Sequence, residues 1–176
     1  MLIGISGSLR EKSVNRKLIR EAGRLYGGPF EEAEIRFPLY DGDLEDYDGV
    51  PADVIALADK IKAAEAVVIS TPEYNQSFSG VLKNALDWLS RTDRRPWVGK
   101  PVALLSAAAG RAGGARANYA LRLAMTPFRP RLLPFEMMLA GASKEFGEDG
   151  KLTSERYLAQ LSDIMAELKS EVQRGA

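Results

Sequence analysis

The chain contains no cysteine and no histidine. The first absence excludes disulfides, CxxC redox chemistry, thiolate nucleophiles and iron–sulfur ligation. Together they exclude Cys/His zinc sites and any Ser-His-Asp or Cys-His catalytic unit. Enzyme chemistry must then come from carboxylates, Lys, Tyr, an all-oxygen metal site or a bound organic cofactor. Net charge is missing as well, since 24 Lys and Arg balance 24 Asp and Glu. That argues against a partner gathered by bulk charge, such as nucleic acid or an anionic membrane. No segment approaches the ~20 apolar residues of a membrane-spanning helix. The opening MLIGISGSLR lacks a basic n-region, and its apolar run is too short for a secretory signal. A cytoplasmic chain is expected. At 176 residues it reads as one domain, 1–176, able to bury a core without staples.

Strand and helix signals alternate along the whole chain. Leu2–Ser6 is a short apolar run stopped by Gly7, hence a buried strand. Val14–Tyr26 has helical spacing, with Ser13 as N-cap and Gly27-Gly28 as a stop. Ala33–Leu39 reads as a second strand, Pro38–Pro51 as a loop and Ala52–Ala64 as a helix opened by Pro51. AVVIST, Ala66–Thr71, is continuous and β-branched, as in a parallel sheet covered on both faces. The spacing then predicts a helix over Ser79–Arg91, a strand over Lys100–Ala107 and a helix over Ala115–Met125. A fifth strand lies within Arg131–Leu139, and a long helix spans Thr153–Val172. Five strands, each followed by a helix, make a doubly wound α/β pattern. In such sheets ligands bind beyond the carboxyl ends of the strands.

That rule singles out three loops. Ser6–Asn15 combines small hydroxyl residues, a glycine, Arg10 and a helix start. Helix-start N–H groups, hydroxyls and an arginine form a phosphate cradle. The alternative is a capped βα turn with a surface arginine. The loop matches neither GxxxxGK[ST] nor GxGxxG, so no pyrophosphate fingerprint is present. Thr71–Gly80 mixes apolar surface with hydrogen-bonding groups, which suits a planar heteroaromatic ligand; a plain turn before an N-cap at Ser77 or Ser79 is equally compatible. Ser106–Ala115 is rich in Ala and Gly, for tight packing or for close backbone approach to a ligand.

The three loops together carry a family resemblance. GSLRxxSxNRKL, TPEYNxSxxGxLKNALDWLSR and GKPVALLSAAAGxxGGARA resemble the NAD(P)H-dependent FMN reductase family, which includes bacterial chromate/quinone reductases and azo-dye reductases. The likeness runs over essentially the whole chain. It implies a flavodoxin-like three-layer α/β/α fold with a five-stranded parallel sheet of order 2-1-3-4-5. It also implies FMN as cofactor and NADPH or NADH as electron donor, with quinones, azo compounds, nitro compounds or chromate as acceptors. Ser8, Arg10, Ser13 and Asn15 would hold the phosphate, and Pro72, Glu73, Tyr74 and Asn75 the isoalloxazine ring. Ser106 and Gly110 would close the far side. No side chain is assigned as a catalytic acid or base. A homodimer or homotetramer is implied. One departure is Ser79, where relatives often carry proline before the glycine. A flavodoxin-type electron carrier is the rival reading, and the neutral charge disfavours it.

Asp41, Asp43, Glu45, Asp46 and Asp48 form an acidic cluster. An EF-hand register fails, because position 6 from Asp41 is Asp46 and position 12 is Ala52. A solvated loop is expected. Trp88 is expected in the core or an interface. Arg116, Tyr119 and Arg122 recur at helical spacing as an exposed stripe or an oligomer contact.

Overall fold

The computed structural model describes residues 1–175. Its centre is a parallel sheet of β1 (Leu2–Ser6), β2 (Phe30–Ala33), β3 (Ala66–Thr71), β4 (Pro101–Ala107), β5 (Arg131–Leu132) and β6 (Met137–Leu139). The strand order is β2-β1-β3-β4-β5, with β6 also paired to β4. The expected fifth strand is therefore present in two pieces on one edge. β5 pairs with the start of β4 and β6 with its end. Pro134 stands between them and has no N–H to give a ladder.

Alternation along the buried strands separates two cores. Ile3, Ile5, Val67, Ile69, Val102 and Leu104 face α3 (Ala52–Ala63), α4 (Gly80–Ser90) and α5 (Ala115–Met125). Leu2, Val68, Ala103 and Leu105 face α1 (Val14–Tyr26) and α6 (Glu155–Arg174). This is the three-layer α/β/α arrangement with helices on both faces of the sheet.

Two sequence expectations are corrected. The second strand occupies Phe30–Ala33 rather than Ala33–Leu39. Its position follows from Phe30, whose ring fills the space left by Gly4 and Gly23. A Cβ on either glycine would stand about 2.6 or 2.5 Å from that ring. The acidic segment is not a loop but α2 (Gly42–Asp48). Asp41 caps it by accepting from the Asp43 N–H at 3.0 Å, and acidic residues in the first turn favour the helix dipole. α2 docks through Glu45, which accepts from Arg91 and from the Tyr40 hydroxyl.

The caps at Ser13 and Ser79 form as expected. Trp88 lies in the core and donates its indole N–H to the Pro38 carbonyl at 2.8 Å. No helix among the described residues is long and apolar enough to cross a membrane.

Candidate active site

A cleft of about 500 Å³ opens at the carboxyl edge of β1, β3 and β4. It is built by the first two loops, the end of β4, and the turn after β6. The first loop is set by local bonds. The Ser8 N–H donates to Ser6 Oγ at 3.2 Å, and the Ser13 N–H to the Arg10 carbonyl at 3.1 Å. Ser13 Oγ then caps α1 by accepting from the Asn15 N–H at 3.2 Å. These turns bring Ser8, Arg10, Lys12, Ser13, Val14, Asn15 and Lys17 to one wall of the cleft. α1 has no acidic residue in its first turn. The wall therefore offers hydroxyls, a helix N-terminus and three cations, a donor set suited to a dianionic phosphate.

The facing wall is Pro72, Glu73 and Tyr74. Tyr74 is 54% exposed. Beyond it the chain reverses in a two-residue turn. The Tyr74 and Ser77 backbones exchange bonds of 3.0 and 3.1 Å, and Asn75 and Gln76 both have left-handed backbone, with φ of 50° and 66°. Both central residues at positive φ define a type I′ turn, usually made with glycine. Asn75 tolerates that conformation, so the strain beside the cleft rests on Gln76. Glu73 projects away from the turn. Its Oε2 accepts from the Arg116 N–H at 3.1 Å and the Ala117 N–H at 3.4 Å. It caps α5, whose own N-cap is Gly114 and has no side chain to do so.

The floor is Ala107, Ala108 and Ala109, with Ala142 and Ser143 beyond. Ala108 is tied to the turn after β6 by its N–H to Leu139 and its carbonyl from Ala142, both at 3.1 Å. The glycines after this floor serve packing. A Cβ on Gly113 would stand 2.5 Å from the Met138 carbonyl, and Gly114 lies against Ser106.

Seven of the ten sequence-selected residues thus meet in one cleft: Ser8, Arg10, Ser13, Asn15, Pro72, Glu73 and Tyr74. Asn75 stands at the tip of the turn. Ser106 is buried behind the floor, donating to the Gly113 carbonyl at 2.8 Å. Gly110 is exposed and lies outside the lining. Asn15 lines the cleft but its amide is committed to the fold. Its Nδ2 donates to the Ala107 carbonyl at 3.1 Å, and its Oδ1 accepts from Ser70 Oγ at 2.7 Å. Lys12 and Lys17 escaped the sequence reading. Lys17 was legible, since it lies one turn beyond Ser13 and so shares its face. Ala142 and Ser143 arrive through the β4–β6 pairing and carried no local signal.

The family model for NADPH-dependent FMN reductase matches residues 1–142. The chain belongs to that family. It is 40% identical over 178 residues to NAD(P)H-dependent FMN reductase PA1204 of Pseudomonas aeruginosa, covering 98% of this chain and 95% of that one. It is 43% identical over 125 residues to a quinone reductase of Escherichia coli K12, covering 69% and 66% of the two chains. Among solved structures it resembles FerB, a flavoenzyme NAD(P)H:(acceptor) oxidoreductase from Paracoccus denitrificans. The TM-score is 0.88 and the identity 29%, over 98% and 97% of the chains.

Membership makes this FMN reductase relative an oxidoreductase with FMN and a reduced nicotinamide as its cofactors, and displaces the electron-carrier alternative. The residues present fit FMN. One basic, hydroxyl-rich wall matches one phosphate. The cleft lies within the ordinary size of cofactor sites, roughly 300–1,000 Å³. The apolar and backbone-lined remainder, Pro72 and Ala107–Ala109, suits a flat ring.

Proposed function

We propose that the cleft holds FMN and that the enzyme passes reducing equivalents from NAD(P)H to quinones, and to azo compounds or chromate as further acceptors. Bound FMN supplies the two-electron chemistry, and the protein supplies binding, orientation and electrostatics. Ser8, Arg10 and Ser13, joined by Lys12 and Lys17, hold the phosphate through charge-assisted bonds and the α1 N-terminus. Pro72, Glu73 and Tyr74 position the ring from one side through their backbone, with Asn75 at the turn tip. Ala107–Ala109 support it from below, and Ser106 and Gly110 fix that floor from behind. Asn15 positions both walls by joining β3 to β4.

The observation that carries this reading is the convergence of three cations and two serines on one helix start, opposite an apolar wall. Nicotinamide and acceptor share one open face, so they bind in turn. The enzyme works in the cytoplasm, where reduced nicotinamide is available, and as a homodimer or homotetramer. The test is the visible spectrum and initial-rate kinetics of the purified protein. FMN should be the heat-released cofactor, NADPH should bleach it, and double-reciprocal lines with a quinone should be parallel. Release of FAD alone, or intersecting lines with a demonstrable ternary complex, would overturn the corresponding part.

A further inference from the structure

A second cavity, of about 290 Å³, lies at the opposite end of β4 from the flavin cleft. β4 has seven residues, so at about 3.3 Å per residue the two are about 20 Å apart. The walls are Leu89 at the end of α4, Pro96 and Trp97 in the following turn, and Phe128 after α5. Arg95 and Arg129 also line it, and both are exposed.

Three features mark this cavity. Trp97 is 1% exposed and its indole N–H is buried with no acceptor, whereas the N–H of Trp88 is satisfied. A buried donor without a partner is destabilising and rare in folded proteins. Next, Arg95 and Arg129 pair with no carboxylate among the described residues, although their neighbours Arg94 and Arg131 pair with Asp59 and Glu171. Finally, both unpaired arginines have left-handed backbone, with φ of 46° and 57°. Such strain in a residue with a side chain is held only where the surroundings enforce it.

We propose that this cavity is a second small-molecule site, for a flat aromatic carboxylate of one or two rings. The rings would lie among Pro96, Phe128 and Leu89. The carboxylate would pair with Arg95 and Arg129. A neutral aromatic leaves both cations unused. An inorganic anion leaves the apolar walls wet. Charge complementarity therefore selects the amphipathic anion.

The experiment uses FMN-loaded protein titrated with 2-naphthoate, followed by 1H–15N correlation spectra. Loaded FMN keeps the flavin cleft filled. The indole resonance of Trp97, assigned through Trp97→Phe, should shift saturably while that of Trp88 stays fixed. Naphthalene-2-methanol, the neutral counterpart, should bind about tenfold more weakly. The double variant Arg95→Gln/Arg129→Gln should lose about tenfold in naphthoate affinity and retain wild-type FMN affinity. The ligand comparison on wild-type protein stands even if a variant fails to fold. Shifts confined to Tyr74 and Ala107–Ala109, equal affinity of acid and alcohol, or no shift because a second copy covers the cavity would each overturn the proposal.

Discussion

Arg10 and Asn15 lie five residues apart on the same cleft wall and have separable roles. Arg10 is exposed and its guanidinium is free to meet a phosphate. Asn15 is 1% exposed and spends its amide on Ala107 and Ser70. Arg10→Ala should weaken FMN binding by about tenfold, or about 1.4 kcal/mol, and leave unfolding of the flavin-free protein unchanged. Asn15→Ala strands two buried partners and should cost about 2–3 kcal/mol of stability. Urea unfolding of the flavin-free protein, beside FMN titration, separates the two outcomes. A stability loss in Arg10→Ala, or none in Asn15→Ala, would reverse the assignment. The sequence showed both residues at a helix start but not this difference. Asn15's partners lie 55 and 92 positions away, and no local pattern reports them. Glu73 repeats the lesson, because its partner helix begins over forty residues later.

At the scale of elements, the second loop couples the cleft to α5. Glu73 replaces the capping side chain that Gly114 lacks. Glu73→Ala should cost about 1 kcal/mol and speed hydrogen exchange at the Arg116 and Ala117 amides, while Glu73→Gln retains an acceptor and loses less. Unchanged exchange in the alanine variant would show that α5 caps itself. The adjoining turn gives the opposite sign. Gln76→Gly creates Asn-Gly, the preferred type I′ pair, and relieves a φ of 66°. It should stabilise the protein by up to about 1 kcal/mol, read as a higher Tm. Helices and buried strands were legible because periodicity and caps are local: α5 begins and ends at the expected residues. The failures have physical causes. α2 has an N-cap and acidic first turn but only Leu44 and Tyr47 as apolar residues, so its periodicity was silent. β2 is placed by a ring fitting two distant glycines, and the break between β5 and β6 was signalled only by Pro134.

For the whole molecule, the absence of histidine and cysteine becomes a statement about pH. Histidine, the side chain that ordinarily titrates between about pH 6 and 8, is missing, and so is cysteine, which titrates there when perturbed. Among the described residues, the one carboxylate lining the flavin cleft is Glu73, and its oxygen already accepts two α5 amides. The docking of α2 brackets the same window from both sides. The Arg91 hydrogen bond holds the Glu45 carboxyl below its ordinary value; partial burial opposes this, and the Tyr40 hydroxyl adds to it. A depressed carboxylate contributes stability that is full above its unfolded value of about 4.3 and is lost as pH falls through the lower folded value. The Tyr40 hydroxyl is raised, first by its bond to Glu45, so its contribution is full below its unfolded value of about 10 and is lost as pH rises beyond that. Both ties are therefore intact from about pH 5 to 10. Stopped-flow bleaching of the bound flavin at saturating NADPH should vary little between about pH 6 and 8. The protection factors of the residue 42–48 amides, corrected for the intrinsic exchange rate at each pH, should also stay level there and fall below about pH 4. A sigmoidal rate change of more than about tenfold centred near pH 7 would require an ionising group at the cleft, and Glu73→Gln would be the variant to show whether its carboxylate is that group.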